Sequence, residues 1–192
     1  ALYLARQGVE SGALDCVLAL GFEQMPPGAI MPVFPDKKMT LERLSTAQLE
    51  LQGFDPDAPP ACQVFGGAGR EYQQKYGTKP ETFAMIAVKA RQHAARNPLA
   101  VFRDPITLEE VMASKKLYGP ITRFQACPPT CGAAAAILVS EAFAKRHGLD
   151  RTVRIEAQSM KTDFASSFAE RSMIKLVGYD MAKSAAQEVY ER

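Results

Sequence analysis

Gly132-Ala133-Ala134-Ala135-Ala136-Ile137-Leu138-Val139 is the run that decides the fold. By composition it suits a helix or a strand, since small residues come first and aliphatic or β-branched ones later. The next nine residues arbitrate. Ser140-Glu141 carries a helix-start signature and Gly148 a C-terminal cap, which leaves the run before them as a central strand. Small residues in such a strand let another backbone or a helix approach closely.

The same grammar recurs on either side. Cys16-Val17-Leu18-Ala19-Leu20 reads as a buried strand, preceded by a helix over Leu2 to Val9 that Ser11-Gly12 ends. A helix and a strand joined this tightly are the repeating unit of a layered α/β domain. Val153 to Ala157 reads as a further strand. Asp180 reads as the cap of a final helix with Ala182, Ala185, Ala186 and Val189 on one face.

Between these parts the text changes. Prolines recur at 26, 27, 32, 35, 56, 59 and 60, and the α/β alternation is lost. A loop-rich excursion is expected there, with one short helix over Thr40 to Leu51. Thr78-Lys79-Pro80-Glu81 predicts a helix start, with Thr78 and Glu81 as a capping box and Pro80 where a missing N–H costs nothing. Phe83, Ile86, Ala87 and Ala90 form its apolar stripe, and Asn97-Pro98 stops it. Thr107-Leu108-Glu109-Glu110 is a second capping box, and Gly119-Pro120 breaks the chain. No internal repeat or low-complexity tract is present.

Composition sets the outer limits. The 192 residues, 47% hydrophobic and 23% charged, suffice for a sizeable core and exclude disorder as the dominant state. A net charge of +2 announces neither a nucleic-acid partner nor an anionic membrane. The longest apolar run, Gly132 to Val139, is far shorter than the roughly 20 residues a membrane span needs. No signal-peptide layout opens the chain.

Candidate chemistry is sparse. Cys16 reads as a small buried hydrophobe. Cys127 and Cys131 form a C-x3-C, but Cys62, His93 and His147 add no paired spacing, so no zinc site is expected. A disulfide scaffold is not expected either. Phe65-Gly66-Gly67-Ala68-Gly69-Arg70 is a glycine-rich loop before a helix. It lacks the Gly-Lys-Ser/Thr ending of a phosphate loop and the spacing of a dinucleotide fingerprint. Its glycines allow a tight approach either to a helix or to a ligand chain. His147 falls in the last turn of a helix, where the dipole favours a cation. His93 falls on a polar, solvated side.

Five segments go further when taken in order. They are Leu18–Met25 (LALGFEQM), Phe65–Glu71 (FGGAGRE), Glu110–Lys115 (EVMASK), Gly132–Leu138 (GAAAAIL) and Lys175–Met181 (KLVGYDM). Together they resemble the thiolase superfamily, in particular thiolases of the sterol-carrier-protein type. The likeness runs through essentially the whole chain.

The resemblance implies an acyltransferase that cleaves 3-oxoacyl-CoA with coenzyme A in fatty-acid or sterol side-chain breakdown. It implies two similar halves stacked as a layered αβαβα fold. Residues 1–21 and 121–147 would end the first half, residues 22–120 would form an inserted loop (lid) domain, and residues 148–192 would begin the second half. Coenzyme A enters as substrate, with no further cofactor. A homodimer is implied, with acyl-CoA and coenzyme A as partners. Eukaryotic members are mostly peroxisomal, some mitochondrial, and bacterial ones cytoplasmic.

The family's nucleophilic cysteine sits in an Asn-Cys-Ser/Ala-Thr-Gly-like stretch that would fall before Ala1. Its histidine motifs would fall after Arg192. No cysteine present matches the nucleophile's context, so no catalytic residue is assigned. What the resemblance carries over is lining. Phe65 and Gly66 fall in the acyl or pantetheine channel, Tyr118 beside it, Cys127 where relatives place a serine near pantetheine, and Met25 close to the site. For Cys127 and Met25 a plain core position is the alternative. Lys115 and Lys116 are placed either near phosphates or in solvent.

Overall fold

The computed structural model describes residues 1–25, 34, 36–149 and 153–191. Along the chain run α1 (Leu2–Glu10), β1 (Cys16–Glu23), α2 (Glu42–Gln52), α3 (Pro60–Tyr76), α4 (Pro80–Ala94) and α5 (Leu108–Ala113). A short hairpin comes next, β2 (Lys116–Tyr118) and β3 (Ile121–Thr122), then a 3₁₀ turn at Arg123–Gln125. β4 (Gly132–Val139), α6 (Glu141–Arg146), α7 (Ser166–Ala169), α8 (Met173–Leu176) and α9 (Tyr179–Tyr190) complete the order. The class is mixed α/β. The expected loop around prolines 26, 27, 32 and 35 lies outside the described residues.

These elements divide into two compact units. One comprises Ala1–Asp36, Pro129–Thr162 and Ala182–Arg192; the other comprises Lys37–Pro128 and Asp163–Met181.

In the first unit, β4 is a strand, as the flanking signals predict. It pairs antiparallel with β1 in unbroken register from Cys16↔Val139 to Glu23↔Gly132. Ser140 ties the ends of this ladder together. Its Oγ accepts from the Phe143 amide at 3.1 Å, capping α6, and donates to the Asp15 carboxylate at 2.8 Å. Such a cap is worth about 1 kcal/mol. Gly148 takes the left-handed φ of +62° expected of the residue that ends α6.

Three strand expectations need correction. β4 has one ladder partner among the described residues, so it is not central, and Ala133–Ala136 stay exposed. Cys16 is exposed rather than buried, because β1 packs chiefly through Ala19. Val153–Ala157 is unpaired chain, since no strand among the described residues lies beside it to complete a ladder.

The second unit is helical. Ala68 on α3 packs with Met173 and Leu176 on α8, flanked by Leu44, Ala47 and Leu51 of α2 and by Phe168 and Val177. The expected glycine-rich loop is in fact the middle of α3. Pro60 starts the helix in its first turn and Gly77, at φ +66°, ends it, so the glycines fall between two strong boundary signals. Three helical glycines cost about 0.5–1 kcal/mol each. Close packing offsets this: a Cβ on Gly66 would stand 2.5 Å from the Tyr118 carbonyl oxygen, and one on Gly69 2.7 Å from Pro120 Cγ.

Of the two predicted capping boxes, one forms. Thr107 Oγ1 accepts from the Glu110 amide at 3.1 Å while the Thr107 amide donates to the Glu110 carboxylate at 2.7 Å. At the start of α4 the cap position is Lys79, one residue beyond Thr78, and no side chain caps it. Pro80 at the first helical position sets that register, because its ring accepts helical φ but cannot continue a turn from before. Asp180 lies inside the first turn of α9, and its carboxylate accepts from Ser166 Oγ and pairs with Lys175 Nζ.

Candidate functional site

The apolar stripe of α4 does not face a closed core. Phe83, Ile86, Ala87 and Ala90 form one wall of an open groove of about 740 Å³ in the second unit. Phe65, Ala68, Gly69 and Tyr72 of α3 form the facing wall. The rim is closed by Ala100, Val101 and Phe102 on one side and by Pro120, Ile121 and the Phe124–Pro128 segment on the other. Stripe residues at helical spacing cannot reveal from sequence whether a partner helix or an empty groove receives them.

The aromatic rings are arranged rather than scattered. Tyr72 meets Phe83 edge-on with centroids 6.1 Å apart, and also packs on Tyr76 at 4.6 Å. Arg91 lies over the Phe102 ring at 4.8 Å and donates to the Asp104 carbonyl at 3.3 Å. Its guanidinium is the groove's one cation among the described residues. An apolar trough with a single fixed cation suits a molecule that is mostly alkyl or aryl.

Phe65 and Cys127 line this groove together. Phe65 is 59% exposed although it sits mid-helix, which marks it as a surface that something could cover. Cys127 is a free, exposed thiol next to Pro128, so its plain core alternative does not hold.

Gly66 and Tyr118 meet each other instead. Gly66 is buried beneath the Tyr118 carbonyl, and Gly119, at φ +54°, turns the chain tightly over the Gly66 carbonyl. Arg70 holds the Tyr118 ring from one turn further along α3, at 5.3 Å from its centroid and 3.3 Å from its hydroxyl. Of the two openings left for the glycines, Gly66 thus serves close approach of another backbone.

Met25 belongs to the first unit. Its amide donates to Cys131 Sγ at 3.3 Å and its carbonyl faces the same sulfur at 3.7 Å. Lys115 and Lys116 are both exposed. Cys62, half-buried on α3, has its thiol pushed above its ordinary value by burial, so the neutral thiol is favoured over the nucleophilic thiolate. Among the described residues no helix is long and apolar enough to cross a membrane.

No protein-family model matches the chain. Individual proteins do. Human sterol carrier protein 2 is 46% identical over 193 aligned residues, covering 100% of this chain and 35% of that protein. Non-specific lipid-transfer protein-like 2 of Caenorhabditis elegans is 36% identical, covering 98% of this chain and 47% of the relative. The benzoylsuccinyl-CoA thiolase subunit BbsB of Thauera aromatica is 31% identical over 64% of this chain and 31% of its own length. Among solved structures, an Ltp2-ChsH2(DUF35) aldolase chain superposes with a TM-score of 0.58 at 25% identity, over 75% of this chain and 35% of the other. The chain therefore spans between about a third and a half of the length of these curated relatives. Likeness to about a third of sterol carrier protein 2 across the whole of this chain, joined by likeness to thiolases, makes this a thiolase-like chain of the sterol carrier protein 2 type, with an α/β, thiolase-like fold.

Proposed function

We propose that these residues form the acyl- and coenzyme A-facing part of a 3-oxoacyl-CoA thiolase, an acyltransferase that cleaves 3-oxoacyl-CoA with coenzyme A. The observation that carries the reading is the groove itself: an apolar trough that brings together Phe65 and Cys127, two positions the thiolase likeness assigns to the acyl and pantetheine channel. Relatives named as a benzoylsuccinyl-CoA thiolase subunit and an acetyl-CoA acetyltransferase support it. Residues 22–120 would be the lid, residues 1–21 and 121–147 the end of one thiolase half, and residues 148–192 the start of the other. Gly66 and Tyr118 would stand behind the channel wall, and Met25 would enter the site by family likeness alone.

The role here is binding and shielding. Thiolysis needs an activated thiolate, a base and an oxyanion hole. Burial favours the neutral form of the Cys62 thiol over such a thiolate, and the reading puts nucleophile and base outside these residues. Burial of an acyl chain contributes about 0.8 kcal/mol per methylene, so affinity should climb with chain length.

Calorimetric titration of the intact protein with coenzyme A and saturated acyl-CoAs of increasing length tests this. Tighter binding of longer chains, weakened by Phe65→Asp, supports the channel. Affinity indifferent to chain length counts against it. Loss of 3-oxoacyl-CoA in the presence of coenzyme A separates a thiolase from a protein that only binds acyl-CoA.

A further inference from the structure

Whole-chain charge conceals a local asymmetry. Between Glu81 and Asp104 the chain carries Lys89, Arg91, Arg96 and Arg103 and no acidic residue. Met85, Lys89, His93 and Arg96 keep the helical spacing of one exposed face, which runs off the C-terminal end of α4. At that end the chain turns through Asn97-Pro98-Leu99-Ala100, where Leu99 is 89% and Val101 62% exposed.

The turn is held in shape. The Leu99 amide donates to Asn97 Oδ1 at 3.0 Å and the Ala100 amide to the Asn97 carbonyl at 3.1 Å. Arg103 Nη2 donates to the Ala95 carbonyl at 3.4 Å, and Arg91 to the Asp104 carbonyl at 3.3 Å, so cations bracket the turn at both ends. A large aliphatic side chain held out in water, in a turn whose two ends are held by arginines, joins two features that are each costly alone. Together they match an interface with an anionic headgroup layer over hydrocarbon.

We propose that the end of α4 and the 95–104 turn dock on the surface of an anionic lipid membrane. Leu99 and Val101 enter the acyl boundary, and Lys89, Arg96 and Arg103 lie at headgroup level. The apolar tip favours lipid over nucleic acid, which would meet the cations but has no place for Leu99. This docking surface does not depend on the thiolase reading.

Flotation of the intact protein with phosphatidylcholine vesicles, and with vesicles holding three parts phosphatidylserine to seven of phosphatidylcholine, tests the proposal. Binding to the anionic vesicles alone, weakened by 0.5 M salt, is expected. Each cation near the surface changes affinity about fivefold, so Lys89→Ala/Arg96→Ala should weaken binding about 25-fold. Leu99→Asp should weaken it at least tenfold, by removing a buried aliphatic side chain. Leu99 packs on little in the fold, so circular dichroism should show the variant folded. Equal binding to both vesicle types overturns the proposal. So does vesicle binding that Leu99→Asp leaves intact, or that RNA competes away in full.

Discussion

Gly66 carries its hydrogen where any side chain would strike the Tyr118 carbonyl: a Cβ there would stand 2.5 Å from the oxygen and 3.0 Å from the carbon. Two effects oppose each other in Gly66→Ala. Helix propensity favours alanine by about 1 kcal/mol. Overpacking against backbone, which cannot rotate away as a side chain can, costs about 1–3 kcal/mol. The variant should therefore lose up to about 2 kcal/mol net, read as a lower urea midpoint. Gly21→Ala, with nothing within 4 Å of the added Cβ, is the comparator and should change little. A Gly66→Ala protein as stable as the parent would mean that Tyr118 does not sit on α3 as described.

Glu71 joins α3 to α8 through one carboxylate. Its Oε1 accepts from Ser172 Oγ at 2.5 Å, and its Oε2 accepts from the Met173 amide at 2.5 Å and the Ile174 amide at 3.3 Å. These amides are the unpaired donors of a helix start, and hydrogen bonds to a charged acceptor are the stronger kind. Glu71→Ala should cost about 2–3 kcal/mol by denaturation. Glu71→Gln keeps the shape but not the charge and should fall in between. Equal losses for both would show that charge contributes nothing here.

Gln63 should be as sensitive, for a different reason. It is fully buried, donating to the Asp55 and Ala58 carbonyls at 2.7 and 2.8 Å and accepting from the Asp55 amide at 3.0 Å. Gln63→Leu keeps apolar bulk and leaves those backbone groups unpaired, at about 1–3 kcal/mol each. A stability loss of at least about 2 kcal/mol is expected from these unpaired groups; a neutral result would require water to have replaced the amide.

How far residues alone lead depends on the reach of the signal. Ser140, Gly148 and the Thr107–Glu110 box act within four residues of themselves, and all three read correctly from sequence. The partner of β4 does not act locally, since β1 lies more than a hundred residues away. Nor does the environment of Gly66–Gly69: three glycines look like a loop until Tyr118 and Pro120 are seen to lie across them. Gln63 looks like a surface polar residue for the same reason. In the groove, the stripe of Phe83, Ile86, Ala87 and Ala90 was legible as apolar, but its opening to solvent was not. Phe65 and Cys127 were reached only through family likeness, because neither carries a local mark of binding.

The cysteines should separate by alkylation rate. Cys62 is half-buried and its thiol is pushed up by that burial, whereas Cys127 is exposed on the groove. Burial lowers both the thiolate fraction and the access of Cys62, while Cys127 stands open to reagent. With iodoacetamide at neutral pH, mass spectrometry should find Cys127 labelled ahead of Cys62, and Cys62 last of all. A long-chain acyl-CoA should slow Cys127 labelling if it occupies the groove. Cys62 reacting fastest would contradict the burial of α3.

Lys175 gives the pH test. Its ammonium donates to Asp180 Oδ1 at 2.6 Å and lies 3.7 Å from Glu170. The hydrogen bond to Asp180 is the main cause that holds its pKa above the ordinary 10.5, with attraction to Asp180 and Glu170 adding to it and desolvation opposing. A raised lysine pKa means the folded protein keeps a proton that the unfolded chain gives up. The contribution is thus fully present below the unfolded value and is lost as pH climbs from there through the higher folded value. Relative to Lys175→Met, the parent's advantage in urea midpoint should stay flat from about pH 7 to about 10 and shrink above that. The pair is partly open to solvent, so the advantage should be modest and should fall with salt. An advantage that grew above pH 10.5 would reverse the sign and rule out the Lys175–Asp180 pair as its source.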